Sequence, residues 1–156
     1  MLSGIEKIIA GLPSSLTVLD VGGFGLDGEN TSLALAERFT QHRYTCMNTD
    51  ARSILACKER FMQCKTLEER FFDYEFQENY GVVVIDMWRG QNQEFWDDDQ
   101  LLDPYIPVEM GGYVIAYVMH PKNFLFVNRY EESYKLVAIE QEQRRPEIHW
   151  VCLQKL

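Results

Sequence analysis

Basic side chains, cysteines and long apolar runs are all scarce in this chain of 156 residues. Lys and Arg total 15 against 24 Asp and Glu, for a formal net charge of −9 at pH 7. Arg144-Arg145 is the only adjacent basic pair, and Pro146 behind it marks an exposed turn. Electrostatic binding to nucleic acid or to an anionic membrane surface needs clustered cations, so neither is an expected partner. Cys46, Cys57, Cys64 and Cys152 show neither C-x-x-C spacing nor a histidine at metal-ligand spacing. No metal site is legible, and four cysteines are too sparse for a disulfide framework. They read as reduced thiols of a cytoplasmic protein, serving as small apolar filler. The longest apolar run, Gly111 to Met119, is about half of the roughly 20 residues that a spanning helix needs. Ile8-Ile9-Ala10 is too short for the core of a signal peptide. The expectation is a soluble protein without a membrane anchor.

What is present is enough for a core. Apolar side chains make up 46% of the chain and aromatic ones 13%, which excludes a solvating acidic tail. A chain of about 150 residues buries roughly 68–70% of its unfolded surface, so residues 1–156 read as one domain that needs no staple. At this length a full catalytic domain plus a separate substrate domain, as in conventional two-domain dehydrogenases and kinases, is not expected.

Hydrophobic period places the elements. Ile5, Ile8, Ile9 and Leu12 define a helix over 3–11 that Pro13 stops. Leu16 to Val21 is a buried strand that enters a glycine-dense loop, Gly22 to Gly28. Asn30 or Thr31 can cap the next helix, whose apolar face is Leu33, Leu35, Ala36 and Phe39. Tyr44 to Thr49 is a second strand closed by Asp50, and Ser53 to Met62 a third helix. A weak third strand is expected around Arg70 to Asp73. A strong fourth runs from Gly81 to Met87, with Val82-Val83-Val84-Ile85 covered on both faces. Residues 88–110 form a connection with a short helix from Gln93 to Leu102, and Gly112 to Met119 is the fifth strand. Pro121 to Ser133 is ambiguous, with a helix as one reading. Lys135 to Glu142 and Ile148 to Leu153 are strands joined at hairpin length. This alternation implies a parallel sheet with right-handed crossovers and helices on both faces. Ligands then bind at the carboxyl ends of its strands.

The residues with chemistry fall at those ends. Gly23 to Gly28 literally satisfies G-x-G-x-x-G between a strand and a helix, and Asp50 follows the second strand. Glycines let the backbone turn and approach a ligand, and the second carboxylate can accept hydrogen bonds from ribose hydroxyls. That pattern supports nicotinamide dinucleotide binding. Asp20, inside the end of the first strand, argues against it, because a buried carboxylate repels a pyrophosphate and suits a ligand with an ammonium group.

Val18-Leu19-Asp20-Val21-Gly22 resembles the first motif of the class I S-adenosylmethionine-dependent methyltransferases. Asp50 matches the acid that holds the cofactor's ribose in that family, and Phe72-Asp73 an acid near the adenine amine. Gly111-Gly112-Tyr113-Val114-Ile115 resembles the glycine turn into its fifth strand. The resemblance spans the chain. It implies a Rossmann-like, seven-stranded, mostly parallel sheet with an antiparallel C-terminal hairpin. The implied cofactor is S-adenosylmethionine, held by Asp20, Gly22, Gly23, Gly25, Asp50 and Asp73, with a small molecule or a protein side chain as methyl acceptor. Asp86 is the candidate proton acceptor. The chain departs from the family's acid-x-Gly-x-Gly-x-Gly at Phe24 and Leu26, and Asp86-Met87-Trp88-Arg89 is not the Pro-Pro motif of amino-methylating enzymes. Ile85-Asp86 also resembles the aminopropyltransferases, although their N-terminal substrate-binding hairpin is missing.

Each residue has a plainer role beside this one. Asp20 can cap neighbouring backbone N–H groups and Asp50 can cap a helix. Asp73 can be a surface acid and Asp86 a turn carboxylate. Trp88, Phe95 and Trp96 can be cover over the sheet, Asp97-Asp98-Asp99 a solvated helix start, and His149 a structural residue of the hairpin. A catalytically silent methyltransferase-like module for binding or assembly therefore stands as the rival reading. Oligomeric state is not legible.

Overall fold

The structure is a computed structural model that describes residues 2–25, 29–86, 106–119, 121–128 and 130–156. The first helix, α1 (Gly4–Ala10), starts at a capping box. Ser3 Oγ accepts from the Glu6 N–H at 3.4 Å, and Glu6 Oε2 accepts from the Ser3 N–H at 2.8 Å. There follow β1 (Val18–Val21), α2 (Glu29–Phe39), β2 (Tyr44–Met47), α3 (Ala51–Arg60), β3 (Lys65–Leu67) and β4 (Tyr80–Asp86). Then come β5 (Val108–Val118), α4 (Pro121–Asn128), β6 (Tyr134–Gln141) and β7 (His149–Lys155).

These strands form one seven-stranded sheet in the order β3-β2-β1-β4-β5-β7-β6. β1 pairs in parallel with β2 on one side and β4 on the other, so the direction of winding reverses between β1 and β4. That reversal is the topological switch point. β7 alone runs against the rest, lying between β5 and β6 and antiparallel to both. Each face of the sheet carries a core. Ile5, Ile8, Leu35, Phe39, Ile54 and Cys57 of the first three helices cover Val18, Val82, Val84 and Ile115. Phe71, Ile106 and Phe124 pack on the other face with Leu19, Val83, Ile85 and Val151. Arg38 ties α2 to the end of α1, donating from Nε to the Ile9 carbonyl at 3.0 Å and from Nη2 to the Leu12 carbonyl at 2.6 Å. No described helix is long and apolar enough to cross a membrane.

Several expectations need correction. The third strand is Lys65–Leu67, and Phe71–Asp73 is a single 3₁₀ turn that buries Phe71. An edge strand this short, half in solvent, has no readable period, whereas the Phe-Phe pair mimics one. Asn30 and Thr31 lie within the first turn of α2, not before it. β2 stops at Met47, and Asp50 caps α3 instead of closing the strand. β5 begins at Val108, so Gly111 and Gly112 lie inside it, where the pairing with β4 slips. Gly111 has φ +76°, and a Cβ on Gly112 would stand 2.8 Å from the Gly81 carbonyl oxygen. The two glycines make a bulge, not a turn into the strand. The ambiguous stretch after Pro121 is helical as far as Asn128. The helix expected over Gln93 to Leu102 lies outside the described residues, as do Trp88, Phe95, Trp96 and Asp97 to Asp99.

Candidate functional site

The loop after β1 is held from three directions. Gly22 turns the chain at φ +83°, and its N–H donates to the Met47 carbonyl of β2 at 2.7 Å. Phe24 also sits at positive φ, +58°, a conformation that an aromatic residue adopts only when its surroundings impose it. Two contacts do so. Its N–H donates to Ser32 Oγ at 2.9 Å, and its buried ring meets Phe61, the residue that ends α3, edge-on at 6.0 Å.

Asp20 lies beneath this loop at 4% exposure. Its Oδ2 accepts hydrogen bonds from Ser32 Oγ at 2.7 Å and from the hydroxyl of Tyr44, the first residue of β2. Burial first, and the neighbouring Asp20 charge second, push the Tyr44 phenol well above its usual range, so it remains a donor. The Asp20 carboxylate thus joins β1, β2 and α2 under the glycines. Gly23 is required there: a Cβ would stand 2.8 Å from Asp20 Oδ2, 2.8 Å from Cys46 Sγ and 3.0 Å from the Tyr44 hydroxyl.

Asn48, also buried, links this loop to the next strand end. Its Nδ2 donates to the Gly23 carbonyl at 3.0 Å, and its Oδ1 accepts from the Asp50 N–H at 2.9 Å. Asp50 caps α3, its Oδ1 accepting from the Arg52 N–H at 3.0 Å, while the Arg52 guanidinium lies 3.3 Å away. The backbone N–H of Arg52 first, and its side chain second, lower the Asp50 pKa. The Arg52 side chain is 92% exposed, so this ion pair holds the carboxylate only weakly and a ligand can replace it. A carboxyl group with a depressed folded pKa adds stability above its unfolded pKa of about 3.9 and loses it as pH falls through the folded value. Urea midpoints measured from pH 6 down to pH 2 are expected to fall less steeply below about pH 4 in Asp50→Asn than in the parent chain. Parallel acid limbs would contradict this.

The other candidates divide. Asp86 ends β4, level with Gly22 and paired with Tyr117 of β5, which puts its backbone at the switch-point edge with Asp20 and Asp50. Asp73 is not brought to that network. It sits in the 3₁₀ turn beyond β3, exposed and ion-paired with Arg70 at 3.3 Å. Glu68, an exposed residue immediately after β3, is the acid at that strand's end, and a correct placement of β3 would have singled it out. Ser32 had a signal too, since it shares the 3.6-residue stripe of Leu35, Ala36 and Phe39 and is buried on it. Tyr44 and Asn48 had none, because their partners lie 24 and 25 positions away.

All four cysteines are free. Cys57 and Cys64 approach to 3.0 Å between sulfurs. Burial, then the bond to Cys57, pushes the Cys64 thiol up to about 12, and burial does the same to Cys152. Among the described residues no group of three or more His, Cys, Asp or Glu is placed to hold a metal ion.

No protein-family model and no curated protein matches the chain. Solved structures do. The N-methyltransferase NodS from Bradyrhizobium japonicum WM9, in complex with S-adenosyl-L-homocysteine, superposes with a TM-score of 0.66 at 13% identity, over 96% of this chain and 85% of that one. This chain has the fold of the class I S-adenosylmethionine-dependent methyltransferases. A TehB-like methyltransferase from Corynebacterium glutamicum shares that methyltransferase fold at a TM-score of 0.67 and 14% identity, covering 100% of this chain and 89% of its own. The 1,6-didemethyltoxoflavin-N1-methyltransferase of Burkholderia thailandensis, with its substrate and S-adenosylhomocysteine bound, gives 0.67 at 10% identity, over 97% and 76%. The seven-stranded, mostly parallel sheet with its antiparallel C-terminal hairpin is therefore that of a methyltransferase-like Rossmann fold.

Proposed function

We propose that this chain binds S-adenosylmethionine at the end of β1 and transfers its methyl group to a small molecule or a protein side chain. The observation that carries this reading is the linked pair of strand ends. A glycine loop locked from below by Asp20 is joined through buried Asn48 to Asp50, whose side chain is 42% exposed. The residues suit the cofactor. The backbone of Gly22, Gly23 and Gly25 leaves room for a ligand's approach, and a Cβ on Gly25 would already stand 3.0 Å from the Gly22 carbonyl oxygen. NodS and the Burkholderia enzyme, with the same fold, hold the demethylated product.

When bound, the sulfonium supplies an electrophilic methyl group for in-line displacement. The chain's own work is alignment and exclusion of water. Asp50 accepts hydrogen bonds from the ribose hydroxyls, and the Gly22–Gly25 loop seats the amino-acid portion, with Asp20 acting from beneath. Glu68, at the end of β3, meets the adenine amine in place of Asp73. Asp86 takes the proton of a protonated acceptor.

Asp50→Ser keeps an N-cap oxygen for α3 but cannot reach a ribose. It is expected to bind S-adenosylmethionine 10- to 100-fold more weakly, the worth of charge-assisted hydrogen bonds at about 1.5–3 kcal/mol. Unchanged calorimetric affinity would overturn the ribose role. One observation favours the rival reading, a module that binds or assembles without transfer: Phe24 stands in the loop where the family places a glycine. Absence of any binding to S-adenosylmethionine or S-adenosylhomocysteine at millimolar concentration would select it.

A further inference from the structure

On the face of the sheet that carries the glycine loop, Val82, Val84, Ile115 and Cys152 line the middle of β4, β5 and β7. At the carboxyl edge of that face two aromatic rings stand together. Tyr117, one residue before the end of β5, pairs in register with Asp86 on one side and Trp150 on the other. Its ring stacks on the Trp150 indole with centroids 4.2 Å apart and planes 25° from parallel. Trp150 is fixed: it is 3% exposed, its Nε1 donates to Glu142 Oε2 at 3.1 Å, and a Cβ on Gly4 of α1 would stand 2.9 Å from its Cδ1. Tyr117 is only half-buried. The indole that Tyr117 stacks on is itself held by the Glu142 carboxylate and the N-terminal helix, so the phenol ring has a fixed backing.

The place of this ring in the sheet gives it a use. β1 and β5 are separated by β4 alone, so at about 4.8 Å per strand spacing Tyr117 lies roughly 10 Å from Gly22, one strand beyond Asp86. We propose that the Tyr117–Trp150 stack is the acceptor subsite and that the acceptor presents a flat aromatic or heteroaromatic ring to it. This rests on the methyl-transfer reading for the word acceptor, and on the stack alone for the ring. An acceptor ring laid against a braced aromatic pair loses little freedom on binding, and its nucleophilic atom is carried at the height of the β4 end. A flexible aliphatic chain gains less from such a wall than a flat ring, because it has no face to stack and more freedom to lose.

The test uses two neutral alcohols of matched skeleton, 2-naphthol and decahydro-2-naphthol, titrated into the full chain with and without saturating S-adenosylhomocysteine. The indole N–H resonance of Trp150 is followed by NMR. 2-Naphthol is expected to shift that resonance and to bind at least about tenfold more tightly than its saturated counterpart. Tyr117→Leu should weaken 2-naphthol about three- to tenfold, the worth of one aromatic stack, and Tyr117→Phe should restore it. Both variants should bind S-adenosylhomocysteine within about twofold of the parent. Equal affinity for the two alcohols in the parent chain, no shift at Trp150, or an unaffected Tyr117→Leu would each overturn the subsite. The comparison of alcohols in the parent chain decides the matter even if Tyr117→Leu fails to fold. Absence of S-adenosylhomocysteine binding would instead overturn the cofactor reading, while the titrations without it still decide the ring site.

Discussion

Asp20→Ala is expected to cost about 2–4 kcal/mol of folding stability, read as a lower urea midpoint at unchanged slope. The substitution removes the acceptor shared by Ser32 Oγ and the Tyr44 hydroxyl. A buried donor left without a partner costs about 1–3 kcal/mol, and two are left here. Part of that is returned because a buried carboxylate no longer has to be desolvated, which sets the lower half of the range. Against a typical total of about 5–15 kcal/mol, the loss is severe. Tyr44→Phe removes one of the stranded donors, so Asp20→Ala should cost less in that background than in the parent. A stability within about 0.5 kcal/mol of the parent for Asp20→Ala would mean that the carboxylate does not carry the junction of β1, β2 and α2. The same variant should lose cofactor binding, since Ser32 would no longer be held where it accepts from the Phe24 N–H.

Gly23→Ala is expected to have an effect of similar size by the opposite route, adding an atom where three neighbours leave no room. Its Cβ would lie 2.8 Å from Asp20 Oδ2 and from Cys46 Sγ, and 3.0 Å from the Tyr44 hydroxyl. None of these is the loose end of a flexible surface side chain. Overpacking of this kind costs typically about 1–3 kcal/mol, and the upper end applies because Asp20 and Tyr44 are hydrogen-bonded to each other. The affinity for S-adenosylmethionine should fall more than about tenfold as the loop is displaced. Cys46→Ala relieves one of the three contacts and should recover only part of the stability. Full recovery would show that the sulfur alone makes the site intolerant of a side chain. Gly25→Ala is the milder case: its Cβ would crowd the Gly22 carbonyl oxygen alone, at 3.0 Å, with Asn48 Nδ2 next at 3.7 Å, so it should lower the urea midpoint less than Gly23→Ala does.

These two positions also mark the boundary of what a linear reading can reach. The strand into Asp20, the glycines after it and the continuous run Val82–Ile85 declare themselves locally, through β-branched content and the glycine punctuation. The parallel order follows from the alternation of elements. The acid at the end of β1 was legible, but its partners were not. Tyr44 reads as an ordinary strand residue until the parallel pairing of β1 with β2 brings its hydroxyl under the loop. The third strand escapes a linear reading because Lys65-Thr66-Leu67 has no alternation long enough to register, which leaves Glu68 behind it without a signal. The acceptor edge was least accessible of all: Tyr117 and Trp150 stand 33 positions apart in the chain, and nothing short of the β5–β7 register brings them together.

The position of β7 has a kinetic meaning. The last strand along the chain is not an edge strand; it fills the gap between β5 and β6. Until it inserts, β6 has no hydrogen-bonded neighbour and β5 offers an open edge, so pairings 31 to 41 positions apart in the chain are needed to close this side of the sheet. Long-range pairings of this sort slow folding and leave unpaired edges exposed meanwhile. Trp150 arrives with the same strand, bringing the support on which Tyr117 stacks and the surface on which Gly4 of the first helix rests. Closure of the sheet and assembly of the aromatic stack therefore depend on the same strand, so a chain in which β7 has not inserted lacks the Tyr117–Trp150 pair.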